Sequence, residues 1–262
     1  MRAMTTPARD RVTDFWDDHI RRWLDGDDSL PDRLKGWFQS YQGSGAGTVT
    51  REGFPEPYLG DLAGHTATPA IVVLGLNPGQ YQPHFQARSG LFANQIREAG
   101  AYSRWAATGP YASTSWTSVM GPNRFHSARL RFARDWLDRP ALNLPELVIF
   151  ECYPWHSTAV TAPMKPAIDV IESFVWQPIA EVPVREVFAF GRPWAHVADA
   201  LGLPIIDKLG AGGRPYGSAV PSRAVRVHEL ASGQRLVVEW HSGGAGPPNT
   251  AETRLLRQEL AV

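Results

Sequence analysis

The sequence predicts an α/β protein: a three-layer α/β/α sandwich whose central, mostly parallel sheet is covered by helices on both faces. From residue 69 onward, short and nearly continuous apolar segments alternate with helical patterns. These segments lack the polar alternation of a half-exposed strand, which indicates a sheet buried on both faces. With 262 residues, of which 43% are hydrophobic, the chain can bury such a core without disulfides or metals.

A helical extension is predicted to precede the sheet. Residues 6–26 place apolar side chains at helical spacing, namely Val12, Phe15, Trp16, Ile20 and Trp23. A second short helix is predicted over 31–40, and glycine and proline interrupt residues 40–61, which predicts a long surface connection. We therefore divide the chain into an N-terminal helical extension with its linker, 1–68, and an α/β domain, 69–262, within one compact unit.

Four strands are predicted in the α/β domain. They are AIVVLG (70–75), ELVIFE (146–151), VREVFAFG (184–191) and QRLVVEWH (234–241). Helices are predicted between or after them, at about 90–99, 125–138, 166–179, 193–201 and 250–260. Ligands of such sheets bind beyond the carboxyl ends of the strands, so the residues that follow each strand are the candidates for function.

Composition restricts the classes of function. The single cysteine, Cys152, excludes an internal disulfide, a cysteine-based zinc site and a cysteine-ligated iron–sulfur cluster. No apolar run approaches membrane-spanning length and the N-terminus lacks a signal-peptide pattern, so a cytoplasmic protein without membrane contact is expected. The net charge is zero, but arginines are concentrated in one segment. Such a segment could bind a phosphate backbone, or it could be the solvated face of a helix. Its arginines are Arg124, Arg129, Arg131 and Arg134.

The ends of the first and last predicted strands carry the most informative polar groups. Asn77 follows the first strand within GLNPG, and His241 ends the last strand before a glycine-rich turn. Dinucleotide, Walker A, nucleophile-elbow and metalloprotease motifs do not occur in the sequence. An amide can orient a water molecule, and a histidine can donate a hydrogen bond to an oxygen that gains negative charge. This pair fits hydrolysis of a bond with a good anionic leaving group, such as a nucleobase on deoxyribose.

Two segments then resemble a known family. GLNPG (75–79) and HSGGAGPPN (241–249) resemble the two signature motifs of the uracil-DNA glycosylase superfamily, closest to its single-strand-selective and mismatch-specific (thymine-DNA glycosylase-like) branches. The resemblance spans about residues 69–260. It implies the fold of that superfamily and a monofunctional DNA glycosylase, acting in base-excision repair or in defence against phage DNA with modified bases. A catalytically silent relative that binds DNA or a partner protein is the main alternative, and a glycosidase of free nucleosides is a third.

The resemblance also implies roles for individual residues. Asn77 would position the attacking water, and His241 would stabilise the departing base. The remaining assignments are Phe92, Tyr81, Glu151 and Gly75 at the base, with Phe92 as the stacking aromatic and Tyr81 as second choice, and Ser242, Gly243, Gly244 and Arg192 at the DNA. DNA, single- or double-stranded, would be the partner of a monomer that needs no metal or organic cofactor. Simpler explanations stay open, since Asn77 suits a turn and Phe92 suits a core helix.

The chain departs from the family pattern at three places. The last motif reads HSGG where the family has His-Pro-Ser. In this motif only Pro247 or Pro248 has the bulk to fill the gap that an extruded base leaves in a duplex. The alternative is that the enzyme prefers single strands, where no such gap forms. Glu151 stands where the single-strand-selective branch has an asparagine that reads uracil. Because an ionised carboxylate only accepts hydrogen bonds, Glu151 favours an amine-bearing base such as a modified cytosine. If Glu151 is protonated, it can donate a hydrogen bond, and uracil stays a possible substrate. Glu151 could instead have a structural role, in an ion pair with an arginine such as Arg192.

Overall fold

The computed structural model describes residues 6–210, 213, 223–241 and 244–260. Within these ranges, seven strands form one sheet in the order β1-β3-β2-β4-β7-β6-β5. The strands are β1 (Tyr58–Leu59), β2 (Ile71–Gly75), β3 (Leu147–Glu151), β4 (Glu186–Phe190), β5 (Ile205–Gly210), β6 (Arg223–Glu229) and β7 (Arg235–His241). The central four, β3-β2-β4-β7, are parallel, and the flanking strands β1, β6 and β5 pair antiparallel. The predicted mixed α/β architecture with a parallel centre is confirmed.

The four predicted strands are the four parallel ones. All residues of β2, β3 and β4 are buried, which agrees with their uninterrupted apolar composition. The antiparallel strands were missed because their sequences carry weaker signals. β1 has only two residues, and the exposed start of β5 breaks the apolar pattern expected of a buried strand.

The described residues contain three 3-10 turns, Gly45–Gly47, Pro110–Ala112 and Leu144–Glu146, whereas α-helices occupy the predicted positions, with three further short ones. They are α1 (Ala8–Leu24), α2 (Asp32–Gln39), α3 (Pro83–Gln86), α4 (Leu91–Ala99), α5 (Tyr102–Ala106), α6 (Thr114–Met120), α7 (Arg124–Leu137), α8 (Ile168–Ile171), a π-helical turn (Glu172–Trp176), α9 (Gln177–Ala180), α10 (Arg192–Ala200) and α11 (Thr250–Glu259). The unpredicted helices are α3, α5 and α6, which are too short to show a full apolar stripe.

The N-terminal helices pack into the same hydrophobic core as the sheet. Trp16 of α1 and Trp37 of α2 are almost completely buried, with ring centroids 6.1 Å apart, and both rings contact Phe174. The Trp37 indole N–H donates a hydrogen bond of 2.9 Å to the carbonyl oxygen of Cys152, directly after β3. The extension therefore holds the end of β3 at the edge of the sheet where the parallel strands end.

The predicted surface connection over 40–61 is wrong for its second half. Residues 53–62 are all buried, and they include β1, which pairs with β3 at the sheet edge. The reason is that apolar side chains enter the core here, among them Phe54, Tyr58, Leu59 and Leu62. The buried Asp61 carboxylate is satisfied by the backbone N–H groups of His65 and Ala67 at 2.7 and 2.6 Å.

The packing of α2 predicts the effect of truncating Trp37. Trp37→Ala should lower the free energy of unfolding by about 3–5 kcal/mol, because it leaves a cavity and an unpaired carbonyl at Cys152. Urea unfolding followed by circular dichroism would measure the loss. Trp37→Phe, which removes the N–H but keeps most of the ring, should cost about 1–2 kcal/mol and serves as the control. A Trp37→Ala protein as stable as wild type would show that α2 is not part of the cooperative core.

Candidate functional site

A cleft of about 680 Å³ opens at the carboxyl ends of the parallel strands. The ends of β2, β4 and β7 form one part of it, and the first two turns of α7 and α10 with the loop 158–164 form the rest. Its lining residues are Leu76, Asn77, Phe125, Arg129, Thr158, Ala159, Val160, Ala162, Pro163, Met164, Gly191, Arg192, Pro193, His196, His241, Gly244 and Ala245. The structure thus brings together four predicted residues, Asn77, His241, Gly244 and Arg192.

Asn77 is held in one orientation. Its side chain is 9% exposed, and Nδ2 donates to the carbonyl oxygen and to Oγ of Ser157 at 2.9 and 3.0 Å. The Ser157 hydroxyl in turn donates to the carbonyl of Ala159 at 3.0 Å. A carbonyl only accepts hydrogen bonds, so the amide nitrogen must face Ser157. The Oδ1 atom, which receives no hydrogen bond from the described residues, is left as an acceptor for a ligand or water in the cleft.

His241 ends β7 and packs directly on the backbone of Gly244. A Cβ at position 244 would lie 2.7 Å from Nε2 of the imidazole, so a glycine is needed for this ring position. His241 and Gly244 also form a backbone bridge that turns the chain back on itself. Ser242 and Gly243, predicted to contact DNA, lie outside the described residues.

Arg223 on β6 ties this turn to its surroundings. The guanidinium contacts Glu239 at 2.8 Å, Glu252 of α11 at 3.0 Å and the carbonyl of Gly246 at 3.3 Å. Burial raises the pKa of Glu239 to about 7, while the charge of Arg223 opposes this rise. One arginine therefore joins β6, β7, the turn after His241 and α11.

Arg192 lines the cleft from the first turn of α10. It is exposed, as is His196 one helical turn later, and both line the cleft. Gly191 precedes them with φ of +114°, and a Cβ there would lie 3.0 Å from Leu76 and from Ala245. A glycine at this position keeps the cleft floor open.

Glu151 is turned away from the cleft and engaged in a buried ion pair. Arg129 of α7 donates from Nη1 to Oε1 of Glu151 at 2.8 Å and from Nη2 to Oε2 at 3.5 Å, with both side chains 6% exposed. Burial raises the pKa of Glu151, and the guanidinium opposes this rise. The structure does not place Glu151 where it could read a base in the cleft. The expected arginine partner exists, but it is Arg129 rather than Arg192.

Gly75 provides the space for this ion pair. It lies beside Glu151 in the register of β2 with β3, and a Cβ at position 75 would overlap the guanidinium of Arg129 and the carboxylate of Glu151. Gly75, predicted to contact the base, instead contacts this pair and is absent from the lining of the cleft.

The two aromatic candidates also lie away from the cleft. Phe92 is completely buried, with its ring 5.0 Å from Phe85 and 5.6 Å from Trp116, because its helix face points into an aromatic cluster. Tyr81 packs over Gly53 and near His156. The aromatic ring that lines the cleft is Phe125, which sequence reasoning missed although it lies in the arginine strip. The Asn-capped start of α7 was a local signal for the helix, but not for the direction that Phe125 faces.

The chemical character of the cleft is set by its lining. Its charged side chains are arginines, and its lining as described includes neither a carboxylate nor a lysine. Cys152 is fully buried outside it, and burial raises the pKa of its thiol. Within the described ranges, no three His, Cys, Asp or Glu side chains gather so as to hold a metal ion. The arrangement can orient water and donate hydrogen bonds to a developing anion, and its described lining contains no carboxylate, cysteine or lysine side chain that could act as base or nucleophile.

No family model, curated protein or solved structure matches the chain. The resemblance of the two short motifs thus gains no support from these comparisons. The part of the chain that the structure describes also includes no helix long and apolar enough to cross a membrane.

A buried polar cluster surrounds Glu56, outside the lining of the cleft. Glu56 accepts hydrogen bonds from Tyr111 at 2.7 and 2.8 Å and from Gln86 at 2.8 Å, and Nε2 of His156 is 3.6 Å from Oε1. Burial raises the pKa of Glu56 to about 8, with a further rise from the charge of Glu151. Burial lowers the pKa of His156 to about 4, so the imidazole is neutral at pH 7.

The raised pKa of Glu56 predicts a specific dependence of stability on pH. The folded protein holds the Glu56 proton up to about pH 8, whereas the unfolded chain releases it near pH 4.5. This contribution to stability is fully present below about pH 4.5 and is lost as the pH rises through 8. From pH 6 to pH 9, the melting temperature of wild type should fall by about 5 °C more than that of Glu56→Gln, whose amide mimics the neutral carboxyl.

Differential scanning calorimetry across this range would measure the difference. Glu52→Gln, which alters an exposed carboxyl nearby in the chain, should follow wild type. Equal slopes for wild type and Glu56→Gln would contradict a carboxyl that is protonated in the folded state.

Proposed function

We propose that the protein is a monofunctional DNA glycosylase with the three-layer fold of the uracil-DNA glycosylase superfamily, hydrolysing the N-glycosidic bond of an extruded base. The amide of Asn77 is anchored on Ser157 so that its oxygen is free for the cleft, and the surrounding polar lining consists of hydrogen-bond donors and histidines without a carboxylate. Such a lining suits a reaction in which the leaving group departs as an anion.

The reaction follows from these groups. The bond between C1′ and the base nitrogen breaks heterolytically, and its electron pair leaves with the base. A water molecule held by Oδ1 of Asn77 adds its hydroxyl to C1′, and its proton passes through solvent to the departing base. His241 stabilises the negative charge that develops on the base oxygen. Because a lysine is missing from the described lining, a Schiff base with the sugar is not expected, and the abasic site is the product.

The groups positioned to contact the base are Phe125 and Arg129. The exposed ring of Phe125 offers the stacking surface that was expected of Phe92. A guanidinium has five N–H donors, and two of its nitrogens engage Glu151, so donors remain for a ligand. Because the Glu151 carboxylate is paired with Arg129, it does not provide the acceptor that would recognise the exocyclic amine of a base. Donors in the cleft favour a base edge with carbonyl oxygens, such as that of uracil, over the amine edge of a modified cytosine.

Removal of the Asn77 amide tests the function. Asn77→Ala should reduce the rate of base excision at least about 100-fold, since the water loses the group that orients it. The assay uses labelled oligonucleotides with uracil, hypoxanthine or modified cytosines, as single strands and duplexes, followed by alkaline cleavage of abasic sites. Asn94→Ala, which alters an exposed asparagine outside the cleft lining, is the matched control.

The outcomes separate the alternatives. Excision that depends on Asn77 supports the glycosylase, and the cleaved oligonucleotide identifies the base. A mobility shift without cleavage would replace the proposal with a DNA-binding protein, and release of base only from free nucleosides would indicate a nucleosidase. Excision that Asn77→Ala leaves unchanged would place the chemistry elsewhere.

Ser157 is a positioning residue in this scheme, and it can be tested separately. Ser157→Ala removes one of the two acceptors of the Asn77 amide, so the amide is less firmly oriented. We expect kcat to fall about tenfold with KM nearly unchanged, because base binding does not involve Ser157. Steady-state kinetics would measure both constants, with Ser173→Ala as a remote control. A change confined to KM would show that Ser157 contacts the substrate instead.

A further inference from the structure

A second groove, here called the α7–α11 groove, lies between these two helices and apart from the cleft. It has a volume of about 440 Å³. Its lining residues are Arg131, Arg134, Asp135, Asp138, Pro140, Arg254 and Arg257. As described, the groove and the cleft share no lining residue. Four of the seven residues that line the groove are arginines, and the proposed function uses none of them.

The arginines of the groove come from both helices at the same spacing. Arg131 and Arg134 are three residues apart on α7, and Arg254 and Arg257 are three residues apart on α11. Residues at this spacing are neighbours on one face of a helix, so each helix brings a pair of guanidiniums to the groove. Like charges at this spacing repel each other, and the packing of α7 against α11 brings the two pairs together. The groove therefore concentrates positive charge that an anion would stabilise.

The protein itself does not neutralise these guanidiniums by ion pairs. Within the part of the chain that the structure describes, none of the four arginines forms an ion pair, although Asp135 and Asp138 line the same groove. Arginines elsewhere do pair with nearby carboxylates, as Arg226 does with Asp199 at 3.0 Å. The N–H donors of the groove are therefore left for a ligand.

Arg134 is held in one orientation within the groove. Its Nε donates a hydrogen bond of 2.8 Å to the carbonyl oxygen of Leu142, and the residue is half-buried. Its two terminal nitrogens make no hydrogen bond to the described residues. Such a guanidinium can donate two parallel hydrogen bonds to the oxygens of one phosphate. Because the side chain is already fixed, it loses little conformational entropy when it binds.

The charge and the size of the groove indicate the class of ligand. Four arginines and two aspartates give its lining a net charge of +2. A phosphomonoester carries a charge of about −1.5 to −2 at pH 7, so one such group neutralises the lining. The volume of about 440 Å³ lies in the range of small-molecule sites, about 300–1,000 Å³, and leaves room for an organic group beside the phosphate. Guanidinium planes stack on flat rings, so a nucleobase suits this space.

We propose that the α7–α11 groove is a binding site for a free nucleoside monophosphate. The half-buried pair, Arg134 and Arg257, binds the phosphate, and the exposed pair, Arg131 and Arg254, stacks on the base. This inference goes beyond the proposed function and does not depend on it, because the groove and the cleft are lined by different residues.

Isothermal titration calorimetry with the full chain tests the site. The probes are adenosine monophosphate, adenosine, inorganic phosphate and a single-stranded oligonucleotide with a terminal phosphate. Arg254→Gln/Arg257→Gln removes both arginines of α11 from the lining. Asp138→Asn removes a carboxylate from the lining, and asparagine tolerates the φ of +53° at this position.

Two further variants serve as controls. Lys35→Gln/Arg104→Gln removes the same amount of charge at exposed positions outside both linings. Arg192→Gln tests whether a probe binds in the cleft instead of the groove. Circular dichroism of each variant would verify that the fold is retained.

Wild type should bind adenosine monophosphate at least about tenfold more tightly than inorganic phosphate, and adenosine should not bind measurably. Arg254→Gln/Arg257→Gln should weaken binding of adenosine monophosphate at least about tenfold. Asp138→Asn should tighten it about two- to threefold, because the lining gains positive charge. Lys35→Gln/Arg104→Gln and Arg192→Gln should match wild type.

Equal binding of adenosine monophosphate and inorganic phosphate would overturn the proposal, since the groove would then bind anions without regard to the nucleoside. Binding that survives in Arg254→Gln/Arg257→Gln, or that Arg192→Gln abolishes, would also overturn it. Binding of the oligonucleotide that depends on Arg254 and Arg257, without binding of adenosine monophosphate, would reassign the groove to nucleic acid. Base excision by wild type and Asn77→Ala is measured separately, so the nucleotide site and the proposed function can fail independently.

Discussion

The buried ion pair between Arg129 and Glu151 determines how the cleft is built. It connects the middle of α7 to the end of β3, and it fits against β2 only because position 75 has no side chain. Two buried charges are tolerated when each satisfies the other, and removal of either would leave an uncompensated charge in the core. By fixing α7 against the sheet, the pair places Phe125, one helical turn before Arg129, beside the loop that carries Asn77.

Two separate sets of contacts support the two ends of the site. On the side of Asn77, the loop after β3 supplies Ser157, and α2 holds the start of that loop through the hydrogen bond from Trp37 to Cys152. On the side of His241, Arg223 connects β6, β7 and α11 around the turn. The N-terminal helices are thus part of the framework of the site as well as of the core. A site assembled from distant segments in this way is positioned by tertiary packing, and small displacements in the framework would shift the side chains that line the cleft.

The lining of the cleft as a whole restricts the possible reactions more than any single residue does. An amide, two histidines and two arginines around a mostly apolar surface can orient water and stabilise an anion, but they cannot supply a strong base. Such a site is suited to a bond that breaks readily once the leaving group is stabilised, as in the loss of a nucleobase.

The sequence by itself determined the parallel centre of the sheet, most of the helices and the placement of Asn77, His241 and Arg192 around one edge. These follow from local patterns, because uninterrupted apolar strands form a buried parallel sheet and the carboxyl ends of such strands share an edge. Only the tertiary structure decided which side chains face the cleft. Glu151 and Phe92 have partners that are distant in the sequence, Arg129 and the aromatic cluster, and both are turned inward by them. Phe125 reaches the cleft because an ion pair and a helix cap orient α7, and no local pattern encodes that direction.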